Sequence, residues 1–274
     1  YSNYQQAIVE SQAEVAYISL VNIAHEKWVD AALNSGRHVV VDKPAFLSLS
    51  TANRLLDLAA KKELCLVEAL AFSYHPQISK LQRLVSQHGG ATRLISTFTF
   101  PPPDRDKYLN YPELGGGSLY DQGPYTAAIS RLFFGESPSD ISCNVVSRDS
   151  DTDVDTAFSI LAAYDGGRSY VGHFGFDTEY QNRLTIIGPS ISITVDRIFS
   201  TPPDLQNELD VNRGNERSRI KVKPADSFEH FFAKAIESIR NHSWSTFAEE
   251  LLSDAQFAEN MRSAALSTGR FGRF

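Results

Sequence analysis

The sequence predicts an α/β unit followed by an α+β unit: a parallel sheet first, then a largely antiparallel open sheet with flanking helices. Three observations carry this. Residues 15–90 alternate strand and helix signals, the order that builds a right-handed parallel unit. Within that stretch, Val39-Val40-Val41 is a run of β-branched residues with no polar alternation, as in a strand covered on both faces. Beyond Gly90 strand candidates follow one another, two of them joined by the hairpin turn Asp165-Gly166-Gly167.

Taken in order, residues 15–20 read as a strand and residues 24–35 as a helix closed by Gly36. Residues 38–41 form the valine strand, which Pro44 forbids from pairing further. Ser48 or Ser50 can cap a helix running to about Lys62, with Leu55, Leu56 and 58–60 on one side. Residues 64–68 are a third strand, and 75–88 an amphipathic helix ended by Gly89-Gly90. Residues 91–100 alternate as a strand, and Pro101-Pro102-Pro103 opens a polar loop to Glu113. Gly115-Gly116-Gly117-Ser118 then starts a helix to Phe134, with a kink expected at Pro124. Strands are expected at 141–148, 157–164, 169–176, 183–187 and 191–195, with one or two edge strands within 204–223. Helices at 226–240 and 245–266 close the chain.

The bulk properties exclude several functions. A length of 274 residues suffices for two modest domains with real cores. A net charge of −7 without a basic cluster argues against a nucleic-acid surface. No apolar run reaches membrane-spanning length, so no membrane partner is expected. Cys65 and Cys143 lie far apart in the sequence with no CxxC pairing, which argues against a structural disulfide or a metal site and fits a reducing, cytoplasmic compartment.

The chemistry gathers at strand ends. In an open parallel sheet ligands bind at the carboxyl ends of the strands, and Lys43 stands at the mouth of the valine strand. Asn22 and His25 follow the first strand, and Glu68 ends the third. Asp121 and Tyr125, four residues apart, share a face on a continuous helix. A lysine ammonium can lower a phenol's pKa, so a Lys–Tyr pair suits proton transfer to or from a sugar hydroxyl, with Asp121 orienting either partner. Singly, each residue has an ordinary structural explanation: a core aromatic, a helix-surface charge, a helix-start histidine, a solvated strand end.

Together they resemble the Gfo/Idh/MocA family of NAD(P)-dependent sugar oxidoreductases. Residues 15–44 are similar to that family's strand, Asn-x-x-His turn, helix and Glu-Lys-Pro motif, with Asp42 in place of the glutamate. Residues 114–138 are similar to its Gly-Gly-Gly helix carrying Asp-x-Gly-x-His/Tyr. Tyrosine at position 125 is similar to the branch of dihydrodiol dehydrogenases, glucose–fructose oxidoreductases and nucleotide-sugar ketoreductases. The resemblance implies an incomplete Rossmann-like domain over 1–90. A substrate-binding and oligomerisation domain would cover 91–274, with its final helices able to pack back on the first. It implies that Lys43 contacts the substrate hydroxyl beside the nicotinamide and that Tyr125 gives or takes the proton, with Asp121 positioning. Asn22, His25, Asp42, Lys43 and Glu68 would serve the NAD or NADP site, while Tyr74 and His75, with Lys43, Asp121 and Tyr125, would meet the substrate. Its partners would be a carbohydrate-like small molecule and a second copy bound through the open sheet.

One signature is absent. No GxGxxG occurs in the sequence, although a dinucleotide fold normally places it after the first strand. Residue 1 is a tyrosine, and residues 15–20 already read as a later strand of such a sheet. At least one βαβ unit, about 30 residues, is therefore expected to lie outside this chain. The alternative to an oxidoreductase is a non-catalytic homologue serving as a sugar-binding or assembly module; a third possibility is a partner chain that completes the dinucleotide half.

Overall fold

The structure, a computed structural model, describes residues 1–268. It opens with α1 (Tyr4–Glu10), a short helix that the residue pattern does not announce. Asn3 caps it by accepting the Gln6 N–H at 2.8 Å, and Tyr4 rests edge-on against Trp28. Then come β1 (Val15–Ile18), α2 (His25–Asn34), β2 (His38–Asp42), α3 (Leu49–Lys61), β3 (Leu66–Ala69) and α4 (Pro76–Ser86). The three strands form a parallel sheet with β2 in the middle.

The valine run now has its physical reason. Val39 and Val41 enter the core shared with α2 and α3, while Val40 points the opposite way into a second apolar cluster. Ser48 caps α3 by accepting the Thr51 N–H at 3.2 Å. The outer edge of β1 has no partner strand among the described residues, and a groove of about 350 Å³ lined by Tyr4, Ile8, Tyr17 and Trp28 runs beside it.

The second unit begins with β4 (Arg93–Thr99). A long loop leads to α5 (Ser118–Asp121) and α6 (Gly123–Phe134), so the single kinked helix expected from the sequence is two, parted at Gln122 just before Pro124. The remaining strands are β5 (Asp140–Arg148), β6 (Asp155–Tyr164), β7 (Arg168–Gly175), β8 (Gln181–Ile187), β9 (Ser192–Asp196), β10 (Asn207–Arg213) and β11 (Glu216–Val222). They are followed by α7 (Ser227–Arg240) and α8 (Ser245–Thr268).

The large sheet has the order β11-β10-β9-β8-β4-β7-β6-β5. Its neighbours are antiparallel except β4 and β7, which run parallel. That exception follows from the connection: the chain leaves β4, crosses through α5 and α6, and lays down β5 and β6 before returning beside it. One face packs Leu94, Phe98, Phe174 and Leu184 against Leu81 of α4, Ile129 of α6 and Met261 of α8. The other face is open, and Ile95, Val171 and Leu161 lie in adjacent registers across β4, β7 and β6, 45%, 44% and 49% exposed.

The last helices tie the units together. Phe231 and Ala235 of α7, with Phe247 of α8, cover Val40, Cys65 and Val67. Leu251 of α8 joins the core behind Val39 and Val41, while Phe257 and Met261 of the same helix lie in the core of the large sheet. No helix among the described residues is long and apolar enough to cross a membrane.

Candidate active site

Lys43 leaves the end of β2 at a cis Lys43–Pro44 peptide. Its ammonium donates to Asp121 Oδ1 at 2.6 Å and to the Asp121 carbonyl oxygen at 2.8 Å. The same nitrogen lies 5.0 Å from the centre of the Tyr125 ring. Burial works against the lysine's charge, yet the Asp121 carboxylate, followed by Tyr125, more than offsets it and holds the ammonium above the usual lysine range. Lys43 is therefore a firm cation at neutral pH. The three residues expected to meet do meet, although Asp121 ends α5 and Tyr125 opens α6.

Tyr125 behaves differently from the sequence expectation. Burial raises its phenol pKa; Lys43 pulls it down, Asp121 pushes it up, and the balance stays above the ordinary value of 10.0. A phenol in this setting keeps its proton at neutral pH, so it is a donor before it is a base. Its ring is fixed by Phe72, Phe98 and Phe199 at centroid distances of 5.5, 5.4 and 5.3 Å.

The triple-glycine turn makes this arrangement possible. A Cβ at Gly116 would stand 2.6 Å from the carbonyl oxygens of both Tyr108 and Leu109, so only glycine lets that loop close over the start of α5. Asp155, the first residue of β6, accepts the Ser118 hydroxyl and the Leu119 N–H, each at 2.7 Å, and anchors α5 from the large sheet. The turn also places Tyr108, which the sequence reading did not single out. Burial and the Asp121 carboxylate push its phenol up to about 12, and Lys43, Asp42 and Tyr125 are its other charged or titratable neighbours. The only signal for it was an aromatic residue in a polar loop, which does not distinguish Tyr108 from Tyr111.

The residues expected around the cofactor divide into two groups. Asp42 faces the neighbouring strand and accepts the Tyr17 hydroxyl at 3.1 Å and the Ser19 hydroxyl at 2.8 Å. Asn22, His25 and Glu68 act on backbone instead. Asn22 is 3% exposed and donates to the Gly115 carbonyl at 2.8 Å, fastening the turn after β1 to the glycine turn. His25 is fully buried, with its ring nitrogens 2.9 Å from the Pro44 carbonyl oxygen and 3.0 Å from that of Leu20. Glu68 accepts the Ala45 N–H at 2.7 Å.

Tyr74 and His75 are not brought to the cluster. Tyr74 packs edge-on against Phe231, and His75 is buried with Nδ1 accepting the Gln77 N–H as the cap of α4. Their placement has a simple cause: the short 3₁₀ turn Ala71–Tyr74 leads into the α4 start, with Tyr74 against Phe231 of α7 and His75 at the α4 cap.

Ser19, Asp42 and Lys43 form a rim that offers a hydroxyl, a carboxylate and a cation at neighbouring strand ends, groups with the chemistry to meet a nicotinamide carboxamide. A pyrophosphate cradle needs a glycine turn leading into a helix N-terminus, and the turns after β1, β2 and β3 contain no glycine.

Residues 1–70 match the model of an oxidoreductase family with an NAD-binding Rossmann fold, and residues 81–194 match the GFO/IDH/MocA C-terminal domain. A dTDP-3,4-didehydro-2,6-dideoxy-α-D-glucose 3-reductase of Actinomadura kijaniata is 25% identical over 268 residues, 96% of this chain and 80% of the relative. A D-xylose 1-dehydrogenase (NADP(+)) of Haloferax volcanii is 28% identical, over 87% of this chain and 74% of its own. Among solved structures, KijD10, a 3-ketoreductase from Actinomadura kijaniata in complex with NADP and TDP-benzene, superposes with a TM-score of 0.91 at 23% identity, covering 97% of this chain and 82% of that one.

Proposed function

The chain belongs to the Gfo/Idh/MocA family of NAD(P)-dependent oxidoreductases, and from that premise we propose that it interconverts a hydroxyl and a carbonyl on a sugar or nucleotide-sugar. The observation that carries this reading is the Lys43–Asp121–Tyr125 cluster at the end of the parallel sheet. When bound, the nicotinamide supplies or takes the hydride. Asp42 and Lys43 are the residues of this chain set to hold its nicotinamide side.

The work of the chain's own residues is protonic and electrostatic. Lys43 presents a fixed ammonium that polarises a substrate carbonyl oxygen and stabilises the alkoxide that develops on it. Tyr125, protonated in its buried setting, donates the proton to that oxygen. Asp121 keeps the ammonium in place through two oxygens. The protonated phenol is the form from which the reductive direction starts.

The open sheet face supports a further part of the proposal, a homo-oligomer. Ile95, Val171 and Leu161 form an apolar row across three strands, a surface that a second copy could cover. The test of the main reading is direct: titrate the protein with NADPH by fluorescence, then follow nicotinamide oxidation with keto-sugar nucleotides and free ketoses. Saturable binding and turnover support the reductase. Absence of both would turn the reading toward the assembly module.

A further inference from the structure

Lys43 is gripped from behind as well as from the front. Pro44 O faces His25 Nδ1 at 2.9 Å, and the next amide, Ala45 N–H, donates to Glu68 Oε1 at 2.7 Å. Glu68 lies on β3 opposite Val41, two residues before Lys43, so one strand holds the turn that the next strand ends in. We propose that Glu68 is a positioning residue for Lys43: by accepting the Ala45 N–H it fixes the Lys43–Ala45 turn and thereby the point at which the ammonium meets Asp121.

Glu68 sits in a tight setting of charged neighbours. Two cavities of about 20 Å³ flank Glu68, each with room for about one water. On α8, Asp254 and Glu250 face this region, and Arg131 of α6 pairs with them at 2.9 and 3.0 Å. Tyr74 and Arg262 border the cavities, and Lys43 lies on the turn itself. Burial, with Asp254 adding to it, pushes the Glu68 carboxyl up to about 7; the Ala45 N–H, Arg131 and Lys43 oppose the rise. The acceptor therefore passes from carboxylate to neutral acid near neutrality, and a neutral acid accepts more weakly. The hold on the turn tightens as pH rises through this range and loosens as it falls.

This inference rests on the catalytic reading of Lys43, but its first measurement does not. Exchange of the Ala45 amide is read by NMR as a protection factor in wild type, Glu68→Ala and Glu68→Gln. A lost hydrogen bond to a charged group is worth about 1.5–3 kcal/mol, which is about tenfold or more in protection. Glu68→Ala is expected to lose that protection; Glu68→Gln, which keeps an amide oxygen, is expected to retain most of it and to lose its pH dependence near 7. In turnover, Glu68→Ala should lower kcat more than it raises KM, Glu68→Gln should restore kcat, and the wild-type pH limb near 7 should vanish in the Gln variant. Unchanged Ala45 protection in a folded Ala variant, or a pH limb that persists in Glu68→Gln, overturns the proposal. Should the Ala variant not fold, the Gln comparison decides alone. A wild type with no turnover removes the enzymatic reading while the amide result still judges the positioning.

Discussion

Replacing Tyr125 by phenylalanine separates chemistry from packing more cleanly than any other change at the site. The ring keeps its contacts with Phe72, Phe98 and Phe199, so the aromatic cluster that seats it is preserved. Only the hydroxyl goes, and the stability change should stay within about 1 kcal/mol. The catalytic cost is set by the loss of a positioned proton donor, typically about 10²–10⁴ in rate. At about 1.36 kcal/mol per tenfold, that is roughly 2.7–5.4 kcal/mol of barrier. The loss should fall on kcat with KM little moved, since the ring still lines the same space. A pH profile adds a second signature. The phenol must be protonated to act, so it should add an alkaline decline beyond the ordinary tyrosine value of 10.0, separate from the Glu68 limb near 7, and that alkaline decline should be absent from any residual turnover of the phenylalanine variant. The assay is nicotinamide absorbance with a keto-sugar nucleotide, with thermal melting as the control for folding. A Tyr125→Phe protein that melts like the wild type and turns over at the same rate would refute the donor role and leave Tyr125 a packing residue.

Three further outcomes follow from the same geometry. Lys43→Met leaves Asp121, 8% exposed, without its cation; turnover should drop by about 10²–10³ as for loss of a transition-state donor, and stability by about 1–3 kcal/mol in thermal or denaturant unfolding. Gly116→Ala forces a Cβ against two carbonyl oxygens at 2.6 Å, so the loop bearing Tyr108 must shift; expected are about 1–3 kcal/mol of destabilisation and a raised KM in steady-state kinetics. Val171→Asp places a charge in the middle of the exposed apolar row and should reduce the mass measured by light scattering to that of one chain, with the melting temperature little changed. A wild type with the mass of one chain, or a Val171→Asp protein that keeps a multimeric wild-type mass, would refute pairing through this face.

Much of the architecture was legible because its signals were local. The valine run, the Ser48 cap and the Asp165-Gly166-Gly167 turn each carry their own physical reason, and each forms close to where the pattern places it. What escaped was decided by tertiary contact. α1 is too short to show a period, and its place is set by Asn3 and Trp28. The parallel pairing of β4 with β7 is a property of the connection, which no strand pattern contains. At the site, Lys43, Asp121 and Tyr125 were legible only together, through two motifs that resemble the family's, since each alone had an ordinary structural explanation. Their environment was not: the lysine was expected to depress the phenol, and burial with Asp121 outweighs it. Asn22, His25 and Glu68 were found by position, but their hold on backbone was not, since hydrogen bonds to backbone carbonyls and amides leave no mark in a sequence.

The unpaired side of β1 has a directional consequence. A strand added there in parallel register must run with β1 and β2, and so would finish on the same rim as Lys43. Whatever segment comes after such a strand is delivered to the cleft, whether the strand belongs to the same polypeptide or to another. The same edge, beside a groove with apolar lining and carrying Tyr17 at 44% exposure, is also a template for unplanned pairing between copies. A strand occupying that edge would therefore cover the template and deliver its following segment to the rim in one step.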